Sequence, residues 1–547
     1  MRSRYLIRSS CAIILASMML PVFCLAAESQ EKVVAKPLYE IRGVPWQPAS
    51  RATEEGCHLA FVMTKGPTQV VVLDGKEGPG YAQIDEDLVF SEDGVHLAYS
   101  AGDGDRWCVV IDGQPGPEFD EIGDDPFFAP DGRLCYTARR GEKWVAVTDG
   151  KVGSEYDLIG HYGDPAADSI VLSQVGRRFG YLAINGLKRL VVIDDQPGPE
   201  YEEIRGPVFS DDGKHVAYAA MKDAKWMAIV DGQRGPEYEQ VDYCAVFSPD
   251  GEHVAYVAQK GEKWLVVLDG QPGPGYDEVD KPVFAEEGKH FAYAARDGDK
   301  WLVVMDGQRG SEYDDLACLG LLTDESVCPI FSPGGDRFVY GAQNGDKWLV
   351  VVDGQPGPPC DELVGPPVFS ADGNHLAYFM RRGDKELVML DGKPGPEHDK
   401  VVEDTLILSP DGKRVAYQIY QGVRKVVVVD GQPGPEYDGL LYDSLVFSKK
   451  GNHIAYGAKS GGKALAVIDG KAGPEFDAIG EAPVAFSPDG NHSAYWGRSG
   501  AKCFVVVDGQ AGPPYDGISV GPIFLKDGSV EYIAKTGRML YRVNHRP

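Results

Sequence analysis

No stretch of this chain beyond its first 27 residues has the length or composition of a good helix. With 68 glycines and 38 prolines in 547 residues, helix breakers recur too often for one to propagate. After residue 27 there is also no apolar run long enough to span a bilayer. Catalytic signatures are missing: there is no G-x-S-x-G elbow, no H-E-x-x-H and no phosphate loop. Basic residues are scarce, 54 Lys and Arg against 83 Asp and Glu, for a formal charge of -29. That balance disfavours nucleic acid and anionic membranes as partners. Ten cysteines are present, two of them, Cys11 and Cys24, within the first 27 residues. The others do not recur at a fixed place, which excludes a disulfide framework or a metal array. Cys318 and Cys328 share one local insertion and could close a disulfide there. Cys108, Cys135 and Cys503 fall in strand-like runs and read as small buried hydrophobes.

The N-terminus has a basic start at Arg2, Arg4 and Arg8, an apolar run from Cys11 to Leu25, and Ala26-Ala27 before Glu28. This is the pattern of a secretory signal peptide, residues 1–27, cleaved after Ala27. Cleavage would remove three arginines and no acid, taking the charge from -29 to -32. The expected location is periplasmic or extracellular. Residues 28–36 read as a polar linker.

What the chain has in abundance is one unit. Ser248 to Phe284 reads SPDGEHVAYVAQKGEKWLVVLDGQPGPGYDEVDKPVF, and nearly everything after residue 37 varies on it. Its turn glycine recurs thirteen times, from Gly56 to Gly528, at steps of 37 to 39 residues apart from one of 44 and one of 47. A steady period means one supersecondary unit packed on itself. Each unit offers four extended pieces: a, the PVF type; b, HVAYVA; c, WLVVLD; and d, YDEV. Ser-Pro-Asp-Gly joins a to b, and Asp-Gly ends c, residues whose backbone preferences suit tight turns. Four strands every 38 residues with no helix between them are antiparallel meanders, and ringed copies bury their faces with little exposed edge. The expected fold is all-β, a tandem β-propeller of thirteen four-stranded units.

The ends are complementary. Leu38 to Ile41 matches piece d with no a, b or c before it, and the last unit, ending at Met539 to Val543, has no d after it. Circular closure explains the offset. Thirteen blades exceed the usual four to eight of one ring, so two rings are expected, seven blades plus six. Splitting at the longer insertion gives a first propeller over 37–316, an inserted loop over 317–330 and a second propeller over 331–547, with Tyr313 to Leu316 closing the second ring.

The copies Phe247-Ser248-Pro249-Asp250-Gly251, Leu408-Ser409-Pro410-Asp411-Gly412 and Phe486-Ser487-Pro488-Asp489-Gly490, each followed by an alanine-tyrosine strand, resemble the WD40-like propeller repeats of the TolB periplasmic family. The resemblance covers about residues 38 to 545 and implies the propeller fold. It says less of function, since such propellers serve as binding scaffolds, as parts of peptidases and as lyases. The DGQPGPEYDE connector, at Asp112 to Asp120 and Asp430 to Asp438 with small changes, departs from that family and is similar to the bacterial WG-repeat.

Repeated residues read as structural. The aspartates before glycine at the end of piece c, Asp269 and ten counterparts, are expected to cap their turns. Calcium is the sharper reading, but it needs several converging oxygens and no D-x-D-x-D-G loop is present. No cofactor is therefore expected. Trp107, Trp144, Trp226, Trp264, Trp301 and Trp348 occupy one place per unit and are expected to pack between blades. His96, His215, His253, His290, His375, His453 and His492 lie in separate blades, which argues against a shared metal site. Two insertions break the period, at 160–170 and 317–330, and both read as d–a loops on the variable face. Repetition suits scaffolding and variation suits recognition, so the candidate binding residues are His161, Tyr162, Asp164, Asp168, Asp324 and Glu325. The reading is a secreted or periplasmic non-enzymatic scaffold binding protein or glycan. The alternative is a hydrolase or lyase with a loop-built acid/base site.

Overall fold

The computed structural model describes residues 33–547, apart from 42–44, 54–55, 86, 161–169, 176–177, 243–244, 318–328 and 481–483. All its elements are β-strands, and they form thirteen antiparallel sheets, one per repeat. We number these blades 1 to 13 in chain order and keep the letters a to d for strands.

Blade 6 shows why the sequence folds this way. Strand a is split into Gln240–Val241 and Val246–Phe247, and both halves pair with strand b, Val254–Lys260. Strand b pairs with c, Lys263–Leu268, and c with d, Gln271–Pro272. The apolar run of strand c serves both faces. Leu265 and Val267 pack toward blade 5, Val266 toward blade 7, and all three are buried. Burying each such side chain contributes roughly 1.5–3 kcal/mol. The Asp-Gly turn after strand c has positive φ at both residues, 50° at Asp269 and 74° at Gly270, the backbone of a type I′ hairpin turn.

Piece d, read as one strand, divides between two blades. Tyr276 exchanges backbone hydrogen bonds with Trp264 of blade 6, while the Asp277 amide already donates to Arg296 in strand b of blade 7. Glu278–Val279 then forms the first half of strand a of blade 7. One residue, Asp277, therefore carries the chain from blade to blade.

Neighbouring blades bury their faces against each other in thirteen apolar clusters. Twelve join successive blades. The thirteenth joins blade 1 to blade 13, where Leu59 and Phe61 pack with Val520 and Ile533. An open row of thirteen would have only twelve such interfaces. The described contacts thus form one ring of thirteen blades, in place of the two rings of seven and six expected. Tyr313 does not close a second ring: it pairs with Trp301 of its own blade, and Asp315–Ala317 continues into blade 8. The division into 37–316 and 331–547 has no counterpart in these interfaces.

Closure itself is as expected. Val33–Glu40 pairs with Met539–His545 and completes blade 13 as its strand d. That strand begins at residue 33, so the linker expected over 28–36 is shorter. The seam is also polar. The Glu531 carboxylate accepts the Cys57 amide at 2.8 Å, and Arg542 donates to the Cys57 carbonyl at 2.7 Å.

Candidate functional site

The two insertions emerge from the split in strand a. In blade 7 the split spans residues 280–282, between Val279 paired with Ala295 and Val283 paired with Ala292. In blade 4 it widens to 160–169, between Ile159 on Ala183 and Ile170 on Tyr181. In blade 8 it widens to 318–329, between Ala317 on Gly341 and Ile330 on Val339. They therefore fall between the two halves of strand a and not at the d–a crossing. The d–a crossing in those blades is the single residue Asp157 or Asp314. Both insertions leave the same strand within one residue of the same register, so they share one edge of the ring. His161, Tyr162, Asp164, Asp168, Asp324 and Glu325 lie outside the described residues, as do Cys318 and Cys328.

The same edge carries acids in other blades. Asp85 and Asp87, Asp124 and Asp125, Asp242, Asp280, Asp404 and Asp443 all stand in the split of strand a. Between blades 2 and 3 the carboxylates meet: partial burial, then the neighbouring Asp87, hold the Asp125 carboxyl above its usual range. Asp124 is tied to the Thr137 hydroxyl at 2.9 Å. Tyr442, 79% exposed, projects from the split in blade 11. Blade 5 differs: its strand a runs unbroken as Glu203–Phe209, with Arg205 lying over Trp226 at 4.3 Å and donating to the Val241 carbonyl of blade 6.

Elsewhere the repeated polar residues hold the ring together. Asp269 accepts the Val254 amide at 2.9 Å through Oδ1 and faces His253 Nδ1 at 2.7 Å through Oδ2. It caps strand b from the turn after strand c. The pairing recurs at His96–Asp112, His215–Asp231, His290–Asp306, His375–Asp391, His453–Asp469 and His492–Asp508. His58–Asp74 in blade 1 is an eighth case. Each histidine has a local aspartate, as expected of a structural row. Among the described residues no three His, Cys, Asp or Glu side chains are grouped to hold a metal ion.

The turn before strand b stacks on its counterpart in the preceding blade. The Ser248 hydroxyl donates to Asp250 at 2.5 Å and accepts the His253 amide at 2.9 Å. Gly288, at φ 74°, sits against that Asp250, so a Cβ there would lie 2.5 Å from the carboxyl carbon. At the opposite end of the blade, Tyr276 meets Tyr293 of blade 7 edge-on at 6.3 Å. Trp264, Trp301 and Trp348 pack against the interfaces that follow their own blades, which bears out inter-blade packing for them.

Blade 9 breaks the pattern twice. Glu386 stands where six other blades have Trp, and His398, paired directly with it, stands where most have Tyr. The Glu386 carboxylate accepts the Val401 amide of blade 10 at 2.7 Å, and His398 Nε2 lies 3.0 Å from the Tyr417 hydroxyl of that blade. Each departure is visible in the sequence, but their cross-strand pairing needs the register. Cys57, Cys108, Cys135, Cys360 and Cys503 are buried, and burial pushes Cys57 up to about 12, far from a reactive thiolate at neutral pH.

No family model and no curated protein matches the chain. Among solved structures it is similar to a eukaryotic initiation factor, at 11% identity and TM-score 0.31, over 74% of this chain and 90% of that one. It is also similar to TolB from Acinetobacter baumannii, at 14% identity and TM-score 0.21, over 48% of this chain and 80% of that one. A third is the Dos1 propeller, at 12% identity and TM-score 0.24, over 66% of this chain and 93% of that one. The architecture rests on the strand pairing and the closed cycle of interfaces: the chain is an all-β, thirteen-bladed propeller with four-stranded blades.

Proposed function

We propose that this protein is a secreted or periplasmic, non-enzymatic scaffold that binds a protein or glycan partner through the edge carrying the two insertions. One observation carries the reading. The recurring polar and aromatic side chains are spent on turns and on joints between blades, whereas the insertions leave one strand within one residue of one register, in blades 4 and 8. A rigid ring with variable insertions on one edge is suited to present recognition residues. His161, Tyr162, Asp164, Asp168, Asp324 and Glu325 are the residues assigned to contact. Acids at the equivalent splits and the exposed Tyr442 extend the same edge. The basic, then apolar, N-terminus supports export, with the mature chain starting at Glu28 and bringing no nucleic-acid-binding charge.

The test replaces all six residues by alanine in the chain beginning at Glu28 and compares it with the unsubstituted chain. A partner identified by pull-down, or a glycan from an array, is then titrated against both. Loss of binding with an unchanged melting profile is expected. Equal affinity removes the assignment.

A further inference from the structure

Twelve of the thirteen turns before strand b carry histidine or arginine at the foot of that strand, eight and four respectively. Three of the arginines show what a permanent cation does there. Arg178, Arg337 and Arg414 each pair with the aspartate that ends their own strand c. Each also lies over a phenylalanine of the next blade, with its guanidinium carbon 5.3 to 6.0 Å from the ring centroid. Each then donates to a carbonyl on the next blade's turn, at 3.0 Å to Lys214, 2.9 Å to Asn374 and 3.1 Å to Asn452. The cation is a clasp between blades. The fourth, Arg133, sits on a turn one residue shorter and pairs with Asp131 instead.

The histidines occupy the same place. Their Nδ1 atoms lie 2.6 to 2.7 Å from the equivalent aspartates. The rings of His58, His96, His215 and His453 lie 6.3 to 6.4 Å from the equivalent phenylalanines. A neutral imidazole gives one proton to its aspartate and presents a bare nitrogen to the neighbour. An imidazolium has a second N–H to give, a full ion pair with the aspartate and a cation–π contact with the phenylalanine.

We propose that His253 is a conditional version of these arginines, so that mild acid tightens the joint between blades 6 and 7 and rising pH loosens it. Acids outnumber bases around it. His253 faces Asp269, with Asp250 and Glu252 on its own turn and Glu286, Glu287 and Lys289 on the turn of blade 7. His215 faces Asp231, with the paired Asp212 and Lys214 on its own turn and Asp250 and Glu252 on the next. His290 faces Asp306, with the paired Glu287 and Lys289 on its own turn and Asp336 and Arg337 on the next. The hydrogen bond to Asp269 holds His253 above its ordinary value. A histidine raised in the folded state contributes fully below the unfolded value of about 6.5, and that contribution is lost as pH rises through the folded value.

The experiment measures Tm from pH 5.5 to 8.5 for the full chain, for H253R and for H253Q. Relative to the arginine variant, the unsubstituted chain is expected to lose Tm as pH rises, so that the two profiles diverge above pH 6.5. The glutamine variant is expected to lie below the unsubstituted chain in acid and to approach it above pH 8. Profiles of unsubstituted and arginine chains that run parallel across the range overturn the proposal, whatever their common slope.

Discussion

The Asp277 carboxylate accepts the Gly298 amide at 2.7 Å, and those two residues lie on either side of a joint between blades. The other carboxylate oxygen holds Lys263 at 2.6 Å. The lysine begins strand c of blade 6 and the glycine sits in the b–c turn of blade 7, so one side chain fastens both. The arrangement recurs at Lys143–Asp157–Gly186, Lys300–Asp314–Gly345, Lys463–Asp477–Gly500 and Lys502–Asp516–Gly537. It accounts for the aromatic–aspartate pair in these five connectors: the aromatic residue ends one blade, and aspartate ties it to the next.

Replacing Asp277 by alanine should free both partners at once. Amide exchange at Gly298 is expected to accelerate while that at the equivalent Gly345 stays unchanged. The Lys263 hydrogen bond, then the Gly298 amide, hold the Asp277 carboxyl below its usual range. A depressed carboxylate contributes stability above its unfolded value and loses it as pH falls through the folded one. The difference in Tm between the unsubstituted and D277A chains should therefore shrink below about pH 4. Equal exchange at both glycines, or a difference that persists in acid, would count against the staple.

The seam between blades 1 and 13 should be the ring's most specific joint. Glu531 is 8% exposed and accepts the Cys57 amide, so E531A leaves a buried N–H without its acceptor. Such a loss costs about 1–3 kcal/mol. Chemical denaturation should show a destabilisation of that size for E531A and a smaller one for E531Q, which keeps an acceptor oxygen. An E531A chain as stable as the unsubstituted one would mean that closure does not depend on this contact.

His398 should respond to acid in the opposite sense to His253. Burial pulls it below its ordinary value despite the adjacent Asp399. A histidine lowered in the folded state withdraws stability as pH falls from its unfolded value, about 6.5, toward its folded one. H398Y restores the residue found at most equivalent positions and removes that penalty. Its Tm advantage over the unsubstituted chain is expected to grow between pH 7 and pH 5 and to be reversed in sign by no salt condition. An advantage that is constant with pH would show that His398 titrates alike in the folded and unfolded states.

Much of the local architecture was legible because it depends on short segments. The apolar run of strand c, buried in alternate directions from Leu265 to Val267, could be read from four consecutive residues. The division of Tyr276 from Glu278 could not. A four-residue extended piece looks the same whether it pairs with one neighbour or changes partner midway, and only the register shows the change. For the same reason the insertions read as loops between strands, although they interrupt one. The pairing of Glu386 with His398 was hidden in the same way: twelve residues separate them, and nothing local brings them face to face.

By itself the chain determined the repeat, the strand-turn pattern and the need for the strand at Leu38 to Ile41 to find a blade encoded some 500 residues later, since an unpaired strand and an incomplete sheet complement each other. The number of rings was decided only in the tertiary structure. Each interface fixes a small angle between two blades, set by how side chains such as Tyr276 and Tyr293 meet. Closure depends on the sum of thirteen such angles, and no single repeat encodes that sum.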